Sequence, residues 1–218
     1  MTLSDDYMKY PHRRYGIDND RYEWSILPRR DPVEWPNGAR VALWVVPVLE
    51  YFPMDTPTTP FIAPGGSTTP YPDPRTYSSC DYGNRVGAFR VFKALDKHGL
   101  KASVAFNSAV AARYPFLLNE ITRRDWEVMA HGVDMGKLHH GELDIETERG
   151  YVKESLVTLR EMSGQPVTGW ISPARSESMN TLDIVADEGG KYVADWVNDD
   201  MPYLLKTSLL YTSDAADE

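Results

Sequence analysis

Polar side chains that could carry out hydrolysis follow several of the strands that the sequence predicts. They are a carboxylate, an imidazole, a guanidinium and a further acid: Glu50, His131, Arg175 and Asp195. Where parallel strands alternate with helices, the carboxyl ends of the strands meet at one face, and catalytic residues collect there. One group can activate water, another can protonate a leaving nitrogen, and a cation can stabilise an oxyanion. We therefore treat these residues as candidate catalytic groups.

Aromatic and acidic residues near these positions are candidates for substrate binding: Tyr51, Trp170, Trp196, Asp199 and Asp200. Each class has a plainer alternative. Tryptophans on strands are more often core residues than substrate platforms, and the Asp199-Asp200 pair is also typical of a turn. The catalytic candidates have structural alternatives too: an ion pair for the glutamate or the arginine, and a hydrogen-bonded core position for the histidine.

The hydropathy pattern predicts strands that alternate with helices. Apolar runs typical of strands covered on both faces occupy residues 39–50, 101–106, 126–130, 167–171 and 191–197. Apolar residues at helical spacing occupy residues 85–98, 108–124 with a break near Pro115, 144–162 and 178–188. Asp144 can cap the longest of these helices, and Gly164 with Pro166 ends it. This alternation predicts an α/β fold with a parallel sheet or barrel.

The composition limits the class of protein and its partners. The chain has 218 residues, of which 42% are hydrophobic and 11% aromatic, and this excludes intrinsic disorder. A formal net charge of −9 argues against a nucleic-acid partner, since that binding relies on a basic surface. No apolar run approaches the ~20 residues that span a bilayer, so we expect no membrane partner. The first residues lack the basic and apolar segments of a secretory signal, which predicts a cytoplasmic protein.

Three segments of the chain differ in composition. Residues 1–38 are polar, aromatic and irregular, and we interpret them as an N-terminal arm packed over the core, with a substrate lid as the alternative. Residues 39–207 hold the predicted strands and helices. Residues 208–218 fit neither pattern and look like the translation of a sequencing adapter, which predicts a non-native tail and a truncated chain. A genuine acidic tail is the alternative.

The order of the motifs resembles the polysaccharide deacetylase (NodB-homology) family over about residues 30–205. A strand ends in an acid and His131-Gly follows another strand, and then come Gly-Trp-Ile-Ser-Pro-Ala-Arg at 169–175 and Tyr-Val-Ala-Asp-Trp at 192–196. The similarity is greatest to the cofactor-independent, allantoinase-like branch. The resemblance implies a distorted (β/α)7 barrel, incomplete at its C-terminal end in this chain. It also implies hydrolysis of C–N bonds other than peptide bonds.

Two family motifs are altered at positions that bind a metal in other members. Tyr51 stands in the place of an acidic ligand, and Met135 stands in the place of the second histidine of the His-Ser/Thr-x-x-His motif. Only His131 remains of three ligands, whereas a catalytic zinc usually has three protein ligands and a water. We therefore expect no metal cofactor. As an alternative, His139 or His140 could join His131 and hold zinc or another divalent ion.

The later motifs are altered as well. Ile171 stands where the third motif has its arginine, which leaves Arg175 as the nearest candidate. Asp195-Trp196 matches the fourth motif, whose aspartate in the family pairs with that arginine and tunes the catalytic base. The histidine of the fifth motif, which supplies the acid, is absent, as expected for a truncated chain.

Together these features predict a hydrolase that acts on a small amide or ureide such as allantoin. Glu50 would activate water, His131 would bind or protonate the substrate, and Arg175 with Asp195 would orient it and stabilise charge. A metal-dependent deacetylase of polysaccharides or N-acetyl sugars is one alternative. A non-catalytic barrel that binds a carbohydrate or metabolite is another. The expected partner is a small-molecule amide or amino-sugar substrate, and the chain could also form a homo-oligomer.

Overall fold

A sheet of five parallel strands is the framework of the protein, in a computed structural model that describes residues 21–54, 72 and 74–207. The strands are β1 (Val48–Leu49), β2 (Ser103–Phe106), β3 (Glu127–Ala130), β4 (Gly169–Trp170) and β5 (Tyr192–Val193). Consecutive strands lie next to each other, and every neighbouring pair is parallel. The predicted α/β fold with a parallel sheet is confirmed.

Helices fill the connections between the strands. They are α1 (Pro74–Tyr82), a π-helical turn (Gly83–Gly87), α2 (Ala88–His98), α3 (Ser108–Arg113), α4 (Pro115–Arg123), α5 (Ile145–Ser163) and α6 (Thr181–Asp187). The side chain of Asp144 accepts a hydrogen bond from the N–H of Thr147 at the start of α5, as its predicted capping role requires. In the part of the chain that the structure describes, no helix is long and apolar enough to cross a membrane. The cytoplasmic location stays a prediction.

The first strand is shorter than the apolar run that predicted it. Residues 45–49 do run beside β2, because the carbonyl groups of Val45, Pro47 and Leu49 accept hydrogen bonds from N–H groups of residues 103, 105 and 107. Pro47 has no N–H to donate in return, so the two-sided ladder forms only at Val48–Leu49. The prediction of a strand over residues 39–50 was therefore wrong in its extent.

The two faces of the sheet pack differently. The main hydrophobic core lies between the sheet and the helices and includes Phe92, Phe106, Leu118 and Leu156. Side chains alternate along a strand, so Ala105 faces away from this core. With Met129 and Ile171 it forms a smaller cluster on the other face. That other face is the one that leads to Glu50 and His131, which are two residues further along their strands than Val48 and Met129.

Trp170 belongs to the main core. It is fully buried, its Nε1 donates a hydrogen bond to Oγ of Ser172 at 2.8 Å, and its ring lies against that of His139. Strand alternation turns the side chain of Trp170 toward the helices, and its predicted role in substrate binding stays a prediction.

The chain divides into two compact units, residues 44–197 on the one hand and residues 1–43 with 198–218 on the other. In the second unit, Nη1 and Nη2 of Arg30 lie 2.8 and 2.5 Å from the two carboxylate oxygens of Asp199. These hydrogen bonds lower the pKa of Asp199 to about 2. The predicted boundaries at residues 38 and 207 stay predictions. The predicted tail, residues 208–218, lies outside the described residues, as does most of the predicted lid segment.

Candidate active site

Glu50 and His131 meet at the carboxyl end of the sheet. Glu50 follows β1, His131 follows β3, and Nε2 of His131 lies 3.3 Å from Oε1 of Glu50. The fold thus joins two residues that are 81 positions apart in the sequence. The side chain of Glu50 is 34% exposed and that of His131 only 3%. Of the two, Glu50 is therefore the group that water or a substrate can reach.

The buried side of the imidazole decides which nitrogen of His131 carries a proton. Nδ1 lies 2.8 Å from the carbonyl oxygen of Ile171, which can only accept, so Nδ1 is the donor. In the neutral ring Nε2 is then a proton acceptor, and it faces Glu50. An acid and a base in contact at a partly exposed position can pass a proton to and from a bound water. Only one nitrogen of His131 is thus bound to the main chain, and the catalytic role of His131 stays a prediction.

Two asparagines hold the main chain on both sides of this pair. Oδ1 of Asn107, which directly follows β2, accepts from the N–H of Tyr51 at 2.8 Å, and its Nδ2 donates to the carbonyl of His131. Asn84 donates from Nδ2 to the carbonyl of Glu50 at 2.8 Å. Both asparagines are buried, so water does not compete for these bonds. Neither asparagine was a candidate site residue from the sequence, although Asn107 follows a strand in the same way as Glu50 and His131.

Gly132 allows the chain to turn sharply after His131. Its φ is +64°, a left-handed conformation that side chains with a Cβ disfavour. Its carbonyl accepts from the N–H of Ser108 and from the hydroxyl of Ser155. A Cβ built on Gly132 would lie 2.8 Å from Cδ of Pro173 and closer still to Cγ. This close approach brings the segment after β4 against the residue that follows His131.

Gly132→Ala is therefore expected to lower the free energy of unfolding by about 2–4 kcal/mol, from the left-handed backbone and the overlap with Pro173 together. Urea unfolding of the full chain measures this. Gly141→Ala is the matched control, since a Cβ at Gly141 would meet nothing within 4 Å. Its unfolding free energy should stay within about 0.5 kcal/mol of the unsubstituted protein. Equal losses in the two variants would contradict the assignment of a close approach at Gly132.

Asp195 is buried beside the segment that follows β4. The N–H of Ser172 donates to its Oδ1 at 2.7 Å, and the residue is 7% exposed. Burial raises the pKa of Asp195 above its ordinary value, while hydrogen bonds with Ser172 and Glu177 and the charge of His131 oppose part of that rise. Glu50, His131 and Asp195 therefore lie at the same edge of the sheet, as expected of residues that follow parallel strands.

Arg175 and Tyr51 are placed differently from these three residues. Arg175 is exposed at the end of a single 3-10 turn, and within the described residues its side chain makes no hydrogen bond or ion pair. Tyr51 packs against the main core, with the guanidinium carbon of Arg113 5.1 Å from the centre of its ring. The catalytic role of Arg175 and the substrate-binding role of Tyr51 stay predictions.

Trp196 is partly buried, and its Nε1 donates to Oε2 of Glu177 at 2.6 Å. Asp199 and Asp200 belong to the other compact unit, where Asp199 is bound to Arg30. The substrate-binding roles of these three predicted residues also stay predictions. Glu177 was not a candidate site residue, because nothing in the local sequence pattern distinguishes it from a surface glutamate.

A second network of buried hydrogen bonds connects the segment after β4 to α5. Glu148 of α5 is fully buried, and its Oε1 accepts from Oγ1 of Thr181 at 2.5 Å and lies 3.1 Å from Nδ1 of His139. Its Oε2 accepts from Oγ of Ser178 at 2.6 Å. Burial raises the pKa of Glu148, but the hydrogen bonds from His139, Ser178 and Thr181 outweigh it and hold the pKa below its ordinary value. Glu148 is therefore an ionised carboxylate inside the protein.

The histidines considered as alternative metal ligands do not gather at one point. Nδ1 of His139 is bound to Glu148, away from the Glu50 contact of His131. Across residues 21–54, 72 and 74–207, no group of three or more His, Cys, Asp or Glu side chains could hold a metal ion. Met135 is buried and offers only a soft thioether. The side chains therefore do not fit the alternative site of His131, His139 and His140, and we derive no step through a metal.

Comparison with known families agrees with this arrangement of a parallel sheet and an acid–histidine pair. The sequence model of the polysaccharide deacetylase family matches residues 68–193, which is more than half of the chain. The protein therefore belongs to the polysaccharide deacetylase family. Its fold is the (β/α) barrel of NodB-type deacetylases, to which the described residues contribute five strands. No curated protein sequence matches the chain.

Two solved structures are similar to the protein. One is described as Puue allantoinase, with a TM-score of 0.71 and 23% identity over 87% of this chain and 64% of that one. The other is a probable polysaccharide deacetylase from Pseudomonas aeruginosa PAO1, with a TM-score of 0.67 and 24% identity over 78% of this chain and 59% of that one. The chain thus spans less than two thirds of the length of either protein. At these identities the similarity shows the fold.

Proposed function

We propose that the protein hydrolyses a C–N bond other than a peptide bond, in a small amide or ureide such as allantoin. The observation that carries the proposal is the orientation of the His131 ring. Its Nδ1 is hydrogen-bonded to the carbonyl oxygen of Ile171, and its Nε2 faces the partly exposed Glu50. Membership of the polysaccharide deacetylase family supports hydrolysis as the reaction class. Because one structurally similar protein is described as an allantoinase, allantoin is the first substrate to test.

In the proposed reaction Glu50 acts on water and His131 supports it. The Glu50 carboxylate takes a proton from a water molecule while the water oxygen forms a bond to the substrate carbonyl carbon. Once Glu50 has taken the proton, its carboxyl group can donate to Nε2 of His131, which can accept the proton and return it. When the C–N bond breaks, its electron pair stays on the nitrogen, which takes up the proton. The products are a carboxylic acid and an amine or amide.

Assays of the purified full chain with allantoin and with N-acetylated sugar oligomers test the proposal. Turnover of allantoin, lost in His131→Ala, supports it. Turnover of N-acetylated sugars alone would replace the substrate class with that of a deacetylase. Thermal stabilisation by either compound without turnover would overturn the enzymatic proposal and favour a non-catalytic binding barrel.

A further inference from the structure

We propose that Glu177 shares a proton with Asp195, so that the two carboxyl groups together carry one negative charge beside His131. No motif in the sequence assigns a role to Glu177. The sharing of the proton stands on the structure alone, whereas its consequence for catalysis rests on the proposed function. Glu177 would act through Asp195 and is thus a positioning residue.

The surroundings of Asp195 leave one of its oxygens without a donor. Oδ1 receives the N–H of Ser172 at 2.7 Å, whereas Oδ2 is buried and has no donor when the neighbouring acids are ionised. Within the described residues Asp195 forms no ion pair with an arginine or a lysine. A buried carboxylate oxygen in that state is costly, because it has lost water without a replacement. A proton held at this oxygen removes the cost.

Glu177 supplies the partner for such a proton. Oε1 of Glu177 is buried and, like Oδ2 of Asp195, receives no donor when both acids are ionised, and the two carboxyl groups interact with each other. Ionised carboxylates can only accept, so a hydrogen bond between two carboxyl groups requires that one of them carries a proton. Oε2 of Glu177 already accepts from Nε1 of Trp196 at 2.6 Å, which assigns Oε1 to the contact with Asp195.

The main chain around Glu177 is held from both sides. Oγ of Ser176, the preceding residue, accepts from the N–H of His139 at 3.3 Å. Oγ of Ser178, the following residue, donates to the buried Glu148 at 2.6 Å. These bonds connect the main chain of Glu177 to the network of α5, and the hydrogen bond from Trp196 holds one oxygen of its carboxyl group.

The shared proton determines how much negative charge the two carboxyl groups place beside His131. Among the described residues, the titratable groups that interact with Asp195 are Glu177 and His131. His131 in turn lies next to Glu50. Burial raises the pKa of Asp195, in agreement with a pair that keeps a proton. Loss of that proton at higher pH would leave two buried carboxylates facing each other, and their repulsion would move Asp195 out of its position beside His131. We therefore infer that deprotonation of the pair forms the alkaline limb of the activity profile.

A carbon-13 NMR titration of the side-chain carboxyl groups in the full chain tests the shared proton without any substrate. We expect the carbons of Asp195 and Glu177 to titrate as a coupled pair, in two steps, with one proton retained at neutral pH. In Glu177→Gln the second step should disappear, because the amide donates permanently to Asp195. Two independent titrations at ordinary carboxyl pKa values would overturn the proposal, whether or not the protein turns over allantoin.

Kinetics test the consequence for catalysis. In Glu177→Ala the buried Asp195 lacks a donor, and kcat/KM should fall about 10- to 100-fold. Glu177→Gln keeps the hydrogen bond and the single charge, so it should be at least about tenfold more active than Glu177→Ala and should lose the alkaline limb. Glu161→Gln, on the exposed side of α5, is the control and should match the unsubstituted protein. Equal activity of the alanine and glutamine variants, with an unchanged pH profile, would overturn the positioning role.

Discussion

Glu50→Gln is expected to lower kcat/KM for the amide substrate about 10²- to 10⁴-fold, the usual contribution of a general base. Glutamine has the shape of glutamate and can still contact Nε2 of His131, but it cannot take a proton from water. Because the Glu50 side chain is 34% exposed, we expect the free energy of unfolding to change by less than about 0.5 kcal/mol. Steady-state kinetics and urea unfolding on the same preparation separate the two effects.

The control for Glu50→Gln is Glu161→Gln, which makes the same chemical change on the solvent side of α5. It should leave both kcat/KM and stability unchanged. If Glu50→Gln kept its activity within about threefold of the unsubstituted protein, Glu50 would not be the base. If Glu50→Gln unfolded instead, the glutamate would be mainly a structural partner of His131.

Glu148→Ala is expected to lower the free energy of unfolding by about 3–5 kcal/mol, as for other buried ionic networks that lose one partner. Without the carboxylate, the buried His139 loses the acceptor of its Nδ1–H, and Ser178 and Thr181 lose the acceptor of their hydroxyls. Urea unfolding at neutral pH measures the loss, and Glu161→Ala is the control that should stay within about 0.5 kcal/mol. A loss below about 1 kcal/mol would contradict the structural weight given to this network.

The pH dependence of stability is a second readout of Glu148. Its pKa is lower in the folded protein than in the unfolded chain, so the folded state binds the ionised form better. The stabilisation is fully present above the unfolded pKa and is lost as the pH falls through the lower folded value. Unfolding curves between neutral and acidic pH should show this loss in the unsubstituted protein and a smaller loss in Glu148→Gln. Parallel pH profiles of the two proteins would show that the carboxylate is not stabilised by folding.

The elements of the fold could largely be predicted from local patterns. The helix expected at residues 144–162 is α5, Ile145–Ser163, because its cap, its apolar stripe and its terminal glycine all lie within the segment itself. The break near Pro115 is likewise a local property of proline. The first strand was overestimated, since whether residues 39–47 form a ladder depends on donors and acceptors in β2, and Pro47 cannot donate.

The sequence by itself determined that Glu50, His131 and Asp195 stand at strand ends, and hence that they could meet at one edge of a parallel sheet. Only the tertiary structure decided how they meet: Ile171 selects the tautomer of His131, and Glu177 reaches Asp195. Only the tertiary structure also shows that the side chain of Trp170 is buried in the core and that His139 is hydrogen-bonded to Glu148. The physical reason is that hydrogen bonds between segments tens of residues apart depend on which groups the packed chain brings into contact, and periodicity along the sequence does not encode that choice.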